Sequence, residues 1–176
     1  MILTIYEARE LITGLNSWTD EKLCRKLKAI EQTIRSYTNN NFQDKAYRNT
    51  ADIIGGIFSV KGSTAFSCGD TVMVSYGKNK GVFTVDSVTN NTFSVLEKVV
   101  DESNVIVTKV VYPDDVVDAA VNLLNWEINN REKVGVKSET LSRYSVTYFD
   151  QDASNQIMGY PISLLSPLKP YKRMRC

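Results

Sequence analysis

A chain of 176 residues is long enough for one good core, or for one core with a smaller inserted module. Its composition, 43% hydrophobic and 23% charged with 21 basic against 20 acidic residues, is that of an ordinary soluble globular protein. No apolar run approaches the ~20 residues that cross a bilayer, and the amino end lacks the marks of a secretory signal, so no membrane partner is expected and the cytoplasm is the expected compartment.

The first quarter reads as helical. Thr4 can cap a short helix that runs to Leu11 or Ile12, with Glu7 in its first turn and Gly14 just past its end. Thr19 is the expected N-cap of the next helix, with Asp20 and Glu21 at the positive end of its dipole. Apolar residues then fall at Leu23, Leu27, Ile30, Ile34 and Tyr37, in steps of four, three, four and three. That is one stripe of a helix. The run Asn39-Asn40-Asn41 ends it.

From about Asn49 the helical period vanishes. Val72, Val74 and Tyr76 alternate with Thr71, Met73 and Ser75, and Phe83 and Val85 alternate with Thr84 and Asp86. The turns Ser67-Cys-Gly-Asp, Gly77-Lys-Asn-Lys-Gly81, Asn90-Asn91 and Asp101-Glu-Ser-Asn lie between such runs. Short strands at close spacing indicate an antiparallel meander closing into a small barrel over 49–111. Alternation assigns Tyr76 and Phe83 to the inward set.

Helical periodicity returns after Pro113, which suits a first turn, as Asp114 and Asp115 suit the dipole. Val116, Val117, Ala120, Val121, Leu124 and Ile128 form a broad apolar face, and the helix is expected to end near Gly135. Tyr144, Val146 and Tyr148 alternate with Ser145 and Thr147, which predicts an extended strand or arm. Pro161 then suits the start of a last helix that Pro167 and Pro170 must keep short or kinked. The expected organisation is a helical frame at 1–48 and 112–141, a β-module at 49–111 and a carboxyl arm and tail at 142–176.

The carboxyl end is the most distinctive stretch. Leu168-Lys-Pro-Tyr-Lys-Arg-Met-Arg carries Lys169, Lys172, Arg173 and Arg175 with no acidic residue, while the rest of the chain is net acidic. Three readings are open for it: a solvated end, a hook for another protein, or a tail that binds phosphates in a salt-dependent way.

Chemistry is harder to find. There is no histidine, which removes the commonest general acid/base, the usual nucleophile pairs and the commonest metal ligand. Carboxylate or lysine chemistry stays open, but Asp150, Asp152 and Asn155 lack calcium-loop spacing. Cys24, Cys68 and Cys176 fall in no metal-ligand spacing and read as reduced thiols. Gly77-Lys-Asn-Lys-Gly81 lacks the ending of a phosphate loop. No catalytic residue, metal or cofactor is expected.

The order of parts, with Ser138-Glu-x-x-x-x-Tyr-Ser-Val-x-Tyr148, then Gly159-Tyr-Pro and the closing Leu-Lys-Pro-Tyr-Lys-Arg-Met-Arg, resembles the head–tail connector (adaptor, or head-completion) proteins of tailed bacteriophages. The resemblance covers roughly 1–45 and 112–176. It implies a helical subunit, so the chain is expected to be α+β: a helical-bundle frame to which the β-module is an addition with no role carried over. It implies a ring of copies, commonly twelve, beneath the portal protein, with a head-closure (stopper) or tail protein on the other face and double-stranded DNA passing through without sequence readout. By that resemblance Leu168, Lys169, Tyr171, Lys172, Arg173 and Arg175 would dock on the portal, and Tyr144, Val146 and Tyr148 would form an arm against a neighbouring subunit. The chain would then reside at the head–tail junction of the virion, and in the host cytoplasm during assembly. The competing readings are a nucleic-acid-binding barrel using Lys78 and Lys80, and a tail-completion or terminator protein.

Overall fold

The computed structural model describes residues 1–130, 138–141, 144–147 and 155–174, with backbone alone at 138–141 and 144–147. It divides into two compact units, one of residues 1–2 and 40–112, the other of 3–39 and 113–176.

The first unit is a closed antiparallel barrel. Its strands are β1 (Gln43–Ile54), β2 (Ile57–Val60), β3 (Thr71–Val74), β4 (Gly81–Thr89), β5 (Thr92–Val95) and β6 (Glu102–Val110), in the order β1-β2-β5-β4-β3-β6. The order is not the simple meander expected from the sequence. The β2–β3 connection crosses from one part of the wall to another, bringing β3 between β4 and β6. Closure leaves no free strand edge in this sheet. Inward residues alternate along the strands and meet in one core of Ala51, Ile53, Phe58, Val72, Val74, Phe93 and their neighbours. Phe58 and Phe93 stack with centroids 4.6 Å apart, and Phe66 meets Phe93 edge-on at 5.2 Å.

The second unit contains α1 (Ile5–Leu11), a 3₁₀ turn (Leu15–Ser17), α2 (Asp20–Thr38), α3 (Asp114–Asn130) and a carboxyl segment. Thr4 and Glu7 form a reciprocal capping box on α1, and the Thr19 hydroxyl accepts from the Lys22 amide at the start of α2. The stripe Leu23, Leu27, Ile30, Ile34 and Tyr37 is buried, and α2 packs against α3 through it. On α3, Val116, Ala119, Ala120, Leu123 and Leu124 are buried.

The strand β7 (Ser138–Leu141) pairs antiparallel with β8 (Tyr144–Thr147), so Leu141 stands opposite Tyr144 and Glu139 opposite Val146. After β9 (Gln156–Ile157) and β10 (Tyr160–Pro161) comes α4 (Ile162–Leu165), continued by a 3₁₀ stretch over Ser166–Tyr171. Pro167 and Pro170 lack the amide donors that an α-helix needs, so the segment is short and tight.

The chain is α+β, but β structure dominates, which corrects the expectation of a helical-bundle frame with a small β insertion. The long periodic signals of α2 and α3 overstated the helical part. The polar run Gln43-Asp-Lys-Ala-Tyr-Arg-Asn-Thr hid the start of a 12-residue strand.

Candidate functional site

The basic carboxyl segment is built into its own unit. Leu165 and Leu168 are fully buried and anchor it by apolar burial, worth roughly 2 kcal/mol for each leucine. Beyond Leu168 the anchoring becomes polar. The Tyr171 hydroxyl donates to the Asp115 carboxylate at 2.9 Å, which raises the tyrosine's pKa above its ordinary value of 10.0. The Lys172 ammonium sits 3.9 Å from the centroid of the Tyr37 ring, a cation–π contact. The Arg173 amide donates to the Thr38 carbonyl at 2.8 Å. Asn39 completes the seat by donating its side-chain amide to the Met174 carbonyl at 3.1 Å and the Arg173 carbonyl at 3.4 Å.

This seat follows from how α2 ends. Asn39 is its C-cap in the left-handed region, φ 49°, a conformation that Asn tolerates better than most residues. The last carbonyls of a helix lack intrahelical donors. Here the Thr38 carbonyl finds its donor in the carboxyl segment. Reading the asparagine run only as a stop signal missed this second role.

The predicted docking residues therefore divide. Leu168 belongs to the core of its own unit. Tyr171 and Lys172 are held by Asp115 and Tyr37. Lys169 and Arg173 are exposed, and Met174 is 92% exposed. Arg175 lies outside the described residues. Of the predicted arm, Tyr144 and Val146 lie on β8, paired with β7 of the same chain. Tyr148 lies outside the described residues.

A second anchoring cluster holds the start of the segment. Glu127 is buried, accepts from Lys26 at 2.9 Å, and accepts the Tyr160 hydroxyl at 2.7 Å. Tyr160 also meets Trp126 edge-on at 5.4 Å. One carboxylate thus ties α2, α3 and β10 together. Sequence periodicity places Glu127 beside Leu123 and Leu124 but carries no signal for its partners.

In the barrel, the β3–β4 loop is ordered by Glu102. Its carboxylate accepts from the Lys78 amide at 2.9 Å, the Asn79 amide at 3.1 Å and the Asn79 side chain at 2.8 Å. These bonds hold its pKa below the ordinary 4.5, the Lys78 amide contributing most. Phe83 is buried, but Tyr76 is 63% exposed, against the sequence expectation for it. Strand β3 ends at Val74, so the alternation stops before it reaches Tyr76.

Among the described residues no group of three or more Cys, Asp or Glu side chains could hold a metal ion, and no helix is long and apolar enough to cross a membrane. No protein-family model and no curated protein matches this chain.

Proposed function

We propose that this protein is a structural subunit of the head–tail junction of a tailed bacteriophage. Copies form a ring that joins the portal protein to a head-closure or tail protein, and DNA passes through the ring. The protein works by assembly and not by catalysis.

The observation that carries the reading is the pinned, cation-bearing carboxyl segment. A solvated end needs neither a buried Leu168 nor a backbone bond from Arg173 to Thr38. A docking element gains from both, because ordering the segment beforehand removes part of the entropic cost of binding. Lys169, Arg173 and Met174 then present two charges and an apolar tip on a fixed backbone. In a ring, many such contacts act together, so each can be weak. The near-neutral composition also suits a channel through which DNA slides, since few phosphates would be held.

The reading of the barrel as a nucleic-acid module has less support. Successive bases need aromatic platforms to stack on. At the Lys78–Lys80 loop the exposed aromatic ring is Tyr76, and Phe83 is buried.

The test is attachment of purified protein to portal-bearing heads that lack it. Deleting Lys169–Cys176 is expected to leave a folded protein that no longer attaches. Lys169→Glu with Arg173→Glu is the finer variant, because the Arg173 amide keeps its bond to Thr38. Attachment of either variant at the wild-type level would refute the docking role.

A further inference from the structure

We infer that one end of the barrel binds a second copy of this chain, and that its counterpart on that copy is the outer face of α1. The contact deepens the ring reading above and rests on it for closure into a ring.

The barrel end is defined by register. The chain enters β1 at Gln43 and leaves β6 at Val110, and these two residues are paired. The β1–β2 turn, the β3–β4 loop and the β5–β6 connection all lie at the opposite end. They are tied into one platform. The Gly55 amide donates to Asp101 at 2.8 Å. Asn79 donates to the Val100 carbonyl at 2.8 Å and accepts from the Val100 amide at 2.9 Å. Glu102 holds the loop beside it, as described above.

This platform is apolar where water should be. Ile54 is 70% exposed, Ile57 51%, Tyr76 63%, Leu96 67% and Val100 54%. These are five of the eleven exposed large apolar side chains among the described residues. Single exposed apolar residues are ordinary, whereas a concentration at one end marks a binding surface.

Charge narrows the partner. Lys78, Lys80 and Lys98 are exposed, and none has a side-chain hydrogen bond or ion pair among the described residues. The neighbouring carboxylates are turned to backbone amides: Glu97 to Thr84, Asp101 to Gly55, and Glu102 to Lys78 and Asn79. The surface therefore offers aliphatic side chains rimmed by ammonium groups. A fitting partner is apolar and carries carboxylates.

The outer face of α1 has that chemistry. Tyr6, Glu10 and Leu11 stand at i, i+4 and i+5, which share one side of a helix, while Ala8 and Ile12 are buried and the Glu7 carboxylate is turned back to the Thr4 amide and hydroxyl. Tyr6 is 77% exposed and Leu11 59%. Arg9, the one cation of α1, is directed to the Leu15 and Trp18 carbonyls and to Asp20. Two unlike patches on one chain make a heterologous contact, and such contacts build rings when the rotation closes.

Sedimentation velocity of the full-length protein from micromolar to near-millimolar concentration tests the contact. The mass is expected to rise with concentration, and less steeply in high salt. Leu96→Glu sets a carboxylate against Glu10, and Leu11→Lys sets an ammonium against the barrel lysines. Each is expected to weaken association at least about tenfold. Both side chains are exposed, so the melting temperature should hold. In the double variant the new charges are opposite in sign, and association should recover. A wild-type protein that stays monomeric throughout, a single variant that associates normally, or a double variant without recovery would overturn the contact. So would monomeric protein whose Lys78→Glu/Lys80→Glu variant loses salt-dependent binding to a fluorescent single-stranded oligonucleotide, which would make this end a nucleic-acid surface. None of these outcomes touches attachment to heads, so the contact and the junction reading fail separately.

Discussion

The amide of Arg173 donates to the carbonyl of Thr38 at 2.8 Å, joining the carboxyl segment to the last turn of α2. The bond gives a helix-end carbonyl a donor that the helix itself cannot supply. It also sets where the Arg173 side chain begins, and so where the basic end is presented.

Asn39 secures this joint by its backbone and by its side chain. Asn39→Ala is expected to cost about 1–2 kcal/mol, from an L side chain without Asn's tolerance at φ 49° and from the lost bonds to the Arg173 and Met174 carbonyls. Asn39→Gly keeps the backbone conformation and should cost less. Chemical denaturation measures both. Hydrogen exchange at the Arg173 amide should be faster in both variants.

The Tyr171–Asp115 bond has an alkaline signature. The phenol's folded pKa is raised, so its contribution to stability is complete below about pH 10 and is lost as pH rises through the folded value. Spectroscopic titration of wild type should show a late-ionising tyrosine that is absent from Tyr171→Phe. The same titration curve for both proteins would count against the bond.

Glu127 is expected to be the most sensitive polar position of the helical unit. Lys26→Met removes one charged partner of a buried carboxylate and should destabilise by roughly 1–3 kcal/mol. Tyr160→Phe removes one neutral-donor hydrogen bond to the same carboxylate and should cost less, about 1 kcal/mol. Thermal unfolding of the two variants gives the order.

Gly77 is required by space as well as by its φ of +90°. A Cβ there would meet the Glu102 carboxylate and displace it from the Lys78 and Asn79 amides. Gly77→Ala should destabilise by about 1–2 kcal/mol from the backbone conformation alone. Glu102 also makes the barrel acid-sensitive. Its folded pKa is depressed, so its contribution is present above about pH 4.5 and is lost as pH falls through the folded value. Glu102→Gln should flatten that acid limb.

Some of this architecture could be read from the chain, and the reasons for the limits are physical. The α2 stripe and its Thr19 cap are local signals, and all five stripe residues are buried. Pro167 and Pro170 dictated a short final helix by removing donors. Strand β1 was obscured because Lys45, Ala46 and Tyr47 bulge out between Asp44, opposite Lys109, and Arg48, opposite Thr108. A bulge breaks the alternation that marks a strand. The same local logic misplaced Tyr76, which lies just past a strand end. The seat for the carboxyl segment pairs residues more than 130 positions apart, Asn39 with Arg173 and Met174, and a single sequence carries no sign of such a pairing.

Imaging the assembled virion tests the junction role most directly. The account expects density for a ring of these subunits between portal and tail, with the Lys169–Met174 segment of each copy against the portal. Density for this chain elsewhere in the particle, or a ring at the junction whose basic segment faces away from the portal, would contradict it.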